Sequence, residues 1–279
     1  MKRLNPTVWQ NVVQVQLWTL TSLTIAILFF IIFFILFNGL PQLSWEFLST
    51  NPVDMGRGGG ILSTIVSTLY LIAVALLFAI PLGIGAAIYL TEYTREGKTT
   101  RIIRFGVECL AGIPSIILGL FGFALFVMSF GWGWSLLSGG MTMSIMLLPT
   151  IIRTSEESFK AVPYEFREVS FSLGVGKWRT ITRVVLPSAL PGVVTGVVLS
   201  VARCIEETAV VIFTAGSSLR FPSSVFESGR TMAVHFYILA REGISMSKAY
   251  GTAAILILSI LLINITAYLL MRYFMKRYS

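Results

Sequence analysis

Long apolar stretches alternate with short polar segments along the whole chain. Residues 17–37 and 61–90 carry no charged side chain at all. A third stretch, 105–130, is interrupted by Glu108 and by the run Gly112-Ile113-Pro114-Ser115. A fourth, 132–152, begins in a Gly/Trp-rich turn, and a fifth, 184–215, contains Arg203, Glu206 and Glu207. The sixth covers 249–271. About 20 apolar residues in a helix cross a ~30 Å hydrocarbon core, and only closed hydrogen-bonding structures survive there. The pattern predicts an all-α integral membrane protein with six spanning helices, a single domain over residues 1–279. Met1-Lys2-Arg3 ahead of the first stretch would suit a signal peptide. That stretch is too long for a signal-peptide apolar region and no small-x-small site follows, so a retained helix is expected.

Composition agrees: 55% of residues are hydrophobic and 12% charged, against roughly 25% charged in soluble domains. A net charge of +8 suits nucleic acid or one face of a membrane. Its distribution decides, because basic residues accumulate in cytoplasmic loops. The N-terminus, the 91–104 loop, the 153–183 segment and the C-terminus hold 15 Lys and Arg, from Lys2 to Arg277. The alternate loops hold five: Arg57, Arg220, Arg230, Arg241 and Lys248. Both termini are therefore expected in the cytoplasm, and no nucleic-acid partner is implied. Cys109 and Cys204 fall in apolar runs, and His235 has no second ligand nearby, so no disulfide framework or metal site is suggested. His235 reads as an external-loop residue without chemistry.

The two long loops differ. The outer one, 216–248, is mixed in character, with an amphipathic or re-entrant piece near 225–240. The inner segment, 153–183, is charged yet rich in Phe159, Tyr164, Phe166, Phe171, Leu173, Trp178 and Ile181. Aromatic residues beside charges suit a surface that docks into a partner's groove. Within it runs Arg167-Glu168-Val169-Ser170-Phe171-Ser172-Leu173-Gly174, then nine residues, then Val184-Val185-Leu186-Pro187. A short helix ending at Gly174, a turn, and a second helix leading to Pro187 fit this spacing.

The segment resembles the signature loop of ABC importer permeases: an acid, two small residues, three variable, a glycine, nine variable, then Ile-x-Leu-Pro. Val169 and Ser170 replace the usual two alanines, and Val184 the isoleucine. The resemblance implies a six-helix type I importer bundle, lying in the inner membrane of a prokaryotic cell. It also implies that the coupling loop at 153–187, with Glu168, Ser170, Leu173, Gly174, Leu186 and Pro187, sits in a cleft of an ATP-hydrolysing subunit.

Further motifs are similar to phosphate-specific permeases of the PstA type. They are 41–48 (Pro-Gln-Leu-Ser-Trp-Glu-Phe-Leu), Gly59-Gly60-Ile61, the 80–90 run from Ile80-Pro81 to Tyr89-Leu90, Gly112-Ile113-Pro114-Ser115-Ile116, Val162-Pro163 and Gly174-Val175-Gly176-Lys177-Trp178. The likeness implies a PstC-type second permease, a PstB-type ATPase dimer and a PstS-type extracytoplasmic phosphate-binding protein. It implies no cofactor in this chain, ATP and Mg being bound by the ATPase.

Arg203, Glu206 and Glu207 lie in an apolar helix where each mid-bilayer charge costs roughly 2.5–3.5 kcal/mol. Spacings of three and four residues put the arginine on one face with both acids, in reach of an ion pair. Two readings stand open: an anion pathway whose carboxylates temper the arginine's grip, or a buried ion network that fixes helix packing. The resembling family has Ala-Arg-x-x-Gly-Glu-Thr here and associates its arginine and glutamate with transport. Ala202-Arg203-Cys204-Ile205-Glu206-Glu207-Thr208 keeps Arg203, Glu207 and Thr208 but puts Glu206 at the glycine.

Pro81 and Pro114 mark kinks or a gate, with Ser115 a weaker contact candidate, and Gly192 and Gly196 permit close helix contact. Glu108 is expected at the cytoplasmic interface. No phosphate-cradling Gly-x-x-x-x-Gly-Lys-Ser/Thr occurs, and no side-chain cluster suggests an enzyme. The alternatives to phosphate import are a permease for molybdate, sulfate or phosphonate, or an ATP-independent carrier.

Overall fold

A computed structural model describes residues 6–95 and 97–278. Lys2 and Arg3 of the charge count lie outside them, as do the side chains of Lys276 and Arg277. The described chain is almost wholly helical: α1 (Pro6–Gly39), α2 (Trp45–Ser49), a two-residue hairpin β1 (Pro52–Val53) and β2 (Gly58–Gly59), then α3 (Leu62–Ile88). There follow α4 (Lys98–Gly112), α5 (Ser115–Gly122), α6 (Leu136–Ala161), α7 (Glu165–Ser172), α8 (Lys177–Thr180), α9 (Leu186–Glu206), α10 (Ala209–Thr214), α11 (Met232–Arg241) and α12 (Met246–Tyr278). Wider π turns extend α3 through Tyr89–Tyr93, extend α5 through Phe123–Ser129, and join α8 to α9 through Ile181–Val185.

Five helical runs are long and apolar enough to cross a membrane, and the pair α4–α5 makes a sixth if taken as one span. That third span is broken at the Gly112-Ile113-Pro114-Ser115 interruption, where a kink or gate at Pro114 is expected. It bends by 100° between Gly112 and Ser115. Ile113, forced toward extended backbone by the proline after it, has ψ 128, and Pro114 has ψ 138. Pro81 behaves differently, since α3 runs through it uninterrupted.

The fifth span departs from expectation: the helix stops at Glu206, Glu207 turns extended (ψ 127), and α10 starts afresh. Its other end starts earlier than the expected residue 184. Helix continues from Lys177 through the π turn into α9. Pro187 cannot donate to the carbonyl four residues back and crowds it, and the wider turn at 181–185 accommodates that loss. The inner loop expected at 153–183 likewise begins as helix, because α6 extends to Ala161.

Packing explains which helices form the centre. The main core joins Leu71, Ala75 and Ala79 of α3 to Met143, Met146, Leu147 and Ile151 of α6, with Cys204, Val210 and Val234 closing it. Glycine permits the approach: a Cβ at Gly140 would collide with Val74, and one at Gly83 with Ile151. Gly192 and Gly196 of α9 lie against Ser158 and Thr154 of α6 in the same way. Small residues let membrane helices touch where no hydrophobic drive separates protein from lipid. By contrast, α1 has no fully buried residue in its most apolar window and touches the bundle mainly through α12.

The connecting segments gather in two sets, at opposite ends of the bundle. Residues 92–108 meet 153–183 through Arg167–Glu92, Arg104–Glu156 and Arg153–Glu108 ion pairs. At the other end, the backbone N–H groups of Leu136 and Leu137, unpaired at a helix start, donate to the carbonyls of Glu227 and Val225. Lys248 donates to the carbonyl of Gly59 and stands over the ring of Phe47.

His235 belongs to this end but is no loop residue: it lies in α11, fully buried, its ring beneath Gly56. Burial, and secondarily the nearby Arg230, pull its pKa down from 6.5 to about 4. Between those values an unfolded chain binds a proton that the folded one refuses, so stability falls as pH drops through that window. Above pH 6.5 the group contributes no slope. The penalty approaches about 3 kcal/mol below pH 4, and thermal melting of the detergent-purified chain should fall accordingly from pH 6.5 to 4. In His235→Gln this component of the slope should vanish; an unchanged slope would contradict the assignment.

Candidate translocation and docking sites

The charged group in the fifth span sits at the break between α9 and α10. Glu207 has turned out of the helix, and its Oε1 accepts from the backbone N–H of Ala209 at 3.1 Å and of Val210 at 3.3 Å. A carboxylate at the start of a helix satisfies otherwise unpaired donors and suits the local dipole. That commitment overturns the expected cluster: among the described residues Arg203 forms no ion pair with Glu206 or Glu207. Thr208 lies in the break, its hydroxyl 3.4 Å from the Glu206 carbonyl. Arg203 and Glu206 are exposed, while Cys204 and Ile205 between them are buried in the core. The two charges thus project away from this chain's own centre, which disfavours an internal packing network. Ser115 begins α5, which packs on α10, with Gly119 against Ala209 and Val210. The two short helices that follow breaks therefore support each other, while Pro81 stays on an exposed face of α3.

The second site is a helical hairpin, α7 with α8. α7 ends in a reciprocal backbone cap: Gly174 N–H donates to the Phe171 carbonyl, and Val175 N–H to that of Ser170. This pattern needs a left-handed residue after the helix, and Gly174 supplies it with φ 74. Ser170 is buried and its hydroxyl meets that of Thr180 at 2.8 Å, stapling the two arms. Glu168 and the apolar Tyr164, Phe166, Val169, Leu173 and Trp178 are exposed. An open groove of about 780 Å³ runs along Phe166, Val169, Leu173 and Gly174 to Arg179 and Val184. Leu186 packs toward Phe159 and Val185 beneath the hairpin, and Pro187 occupies the first turn of α9.

One residue with a conspicuous position escaped the sequence reading. Glu92, in the π turn after α3, forms a buried ion pair with Arg167 of α7 at 2.6 Å. An acid closing an apolar run on the basic side of the molecule was the available signal. Glu108 pairs with Arg153 at 2.9 Å and is more than half exposed, which accounts for its charge without a pathway role. No group of three metal-ligating side chains occurs among the described residues.

Residues 79–279 match the family described as binding-protein-dependent transport system inner membrane component. The chain is 34% identical over 258 residues to a probable ABC transporter permease, YqgI, of Bacillus subtilis, covering 87% of this chain and 88% of that one. It is 35% identical to the phosphate transport system permease PstA of Pasteurella multocida, over 85% of each. With PstA 1 of Mycobacterium tuberculosis it shares 36% identity over 75% of this chain and 69% of that one. Among solved structures, a bacterial ABC transporter importing alginate superposes with TM-score 0.65 at 15% identity, covering 96% and 99% of the two chains. The MetNI methionine transporter does so with TM-score 0.59 at 19% identity, covering 77% and 94%. These two show the fold of type I ABC importer permeases. The chain belongs to the family of binding-protein-dependent transport system inner membrane components, in its PstA-type branch, and is a multi-pass membrane permease subunit, not an enzyme.

Proposed function

We propose that this subunit forms half of an ATP-driven phosphate import pathway. ABC importer permeases work with an ATPase and a binding protein; here the partners are a PstC-type permease, a PstB-type ATPase dimer and a PstS-type binding protein. The observation that carries the reading is the outward projection of Arg203, unpaired with either neighbouring acid, from a chain whose PstA relatives transport phosphate. A cation on the face offered to a second permease lowers the barrier for an oxyanion, while Glu206 beside it keeps the ion from lodging there. Glu207 acts indirectly, by fixing the break, and Thr208 lies within it. ATP and Mg are bound by the ATPase, and this chain carries no cofactor. The basic segments around 91–104 and 153–183 face the cytoplasm with both termini, and the exposed apolar side of α7, with Leu173 and Gly174 at its end, docks on the ATPase.

The test is uptake of radiolabelled phosphate by proteoliposomes holding the four-component complex. Uptake should require ATP and the binding protein, and excess molybdate, sulfate or phosphonate should compete poorly. Uptake of molybdate without phosphate would replace the substrate assigned here, and transport without the ATPase would overturn the coupling.

A further inference from the structure

We propose that Glu92 and Arg167 form the positioning link that passes motion of the docking hairpin to α3. The inference rests on the docking role of α7 given above. Arg167 is buried, while Phe166, Val169 and Leu173 on other sides of the hairpin are exposed. All of its donor nitrogens are engaged: Nε reaches Glu92 Oε1 and Oε2 at 3.1 and 3.3 Å, and Nη2 reaches Oε1 at 2.6 Å. Nη2 also donates to the Phe159 carbonyl at 2.9 Å, and Nη1 to those of Val162 at 2.9 Å and Pro163 at 3.4 Å. The Phe159 carbonyl lies in the last turn of α6, where it also accepts from the Val162 N–H, and Val162 caps that helix. A single guanidinium thus joins three elements, α3, α6 and α7, and its rigid planar fork holds carboxylate and carbonyls in fixed directions.

The other arm of the hairpin grips the same turn of α3. Lys177, which opens α8, stands 4.8 Å from the ring centre of Tyr93, the residue after Glu92. The Ser170–Thr180 hydroxyl bond makes the two arms one body. Displacing the hairpin must therefore drag the 89–93 turn, and with it the helix that forms most of the core with α6. Neither Glu92 nor the buried face of Arg167 lines the groove offered to the ATPase, so docking and transmission are separable.

That separation defines the experiment. In reconstituted complexes, Glu92→Gln should leave ATPase co-purification and binding-protein-stimulated hydrolysis within about twofold of the parent chain, while phosphate moved per ATP falls about tenfold. An assembled Glu92→Gln complex with unchanged phosphate per ATP would overturn the proposal. Loss of co-purification by the parent chain itself would instead sink the docking assignment on which it rests. Should Glu92→Gln not assemble, the double variant Glu92→Cys, Arg167→Cys decides, bridged by a bifunctional methanethiosulfonate. Coupling restored on bridging and lost on reduction supports the link. Coupling indifferent to the bridge, or failure of both variants to assemble, overturns it and makes the pair a folding contact.

Discussion

Arg203→Ala should abolish phosphate uptake by the reconstituted complex while the complex still assembles. Arg203 holds no ion pair with Glu206 or Glu207, and its neighbours Cys204 and Ile205, not the arginine, fill the core. Removing it therefore takes away countercharge without opening a cavity. Truncating one partner of a desolvated charge pair costs about 2–5 kcal/mol, and each 1.4 kcal/mol is tenfold. Uptake should fall at least about thirtyfold, with unchanged recovery of the ATPase on the purified permease. Arg203→Lys keeps a point charge but loses the planar fork, so it should retain measurable uptake. Full uptake by an assembled Arg203→Ala complex would return the residue to a packing role.

Gly174→Glu should detach or uncouple the ATPase. The position is left-handed, with φ 74, and its amide and that of Val175 close the end of α7. A non-glycine residue pays about 1–2 kcal/mol there. No neighbour lies within 4 Å of a Cβ built at the site, so strain is the only internal penalty. The glutamate would project beside the groove that holds Leu173 and Val175, adding a charge where apolar surface is to be buried. Gly174→Ala separates the two effects, because it carries the strain without the charge. Co-purification of the ATPase should be nearly lost with glutamate and largely kept with alanine. Normal phosphate-stimulated ATPase activity in Gly174→Glu would contradict the docking role.

What could be read from the sequence was whatever local chemistry dictates. Gly112-Ile113-Pro114 announces a break because proline restricts the residue before it, although that restriction does not fix the 100° angle. Gly174 announces a turn for the same kind of reason. The break at Glu206–Thr208 was hidden. A helical wheel places Arg203 beside both acids, and only the capping of Ala209 and Val210 by Glu207 removes one of them. His235 was misjudged because its burial comes from the 52–60 hairpin folding over α11. The Glu92–Arg167 pair joins residues 75 positions apart, a distance over which no periodicity carries information.

The outward placement of Arg203 and Glu206 has a consequence for biogenesis. Charges facing acyl chains cost up to roughly 2.5–3.5 kcal/mol each, and a solitary subunit would leave both in that position. If a second permease covers this face as proposed, assembly relieves the cost, and an orphan copy would be the less stable form and the one a membrane protease meets open. The side chains proposed to serve the ion would then also hold the two subunits to matched amounts.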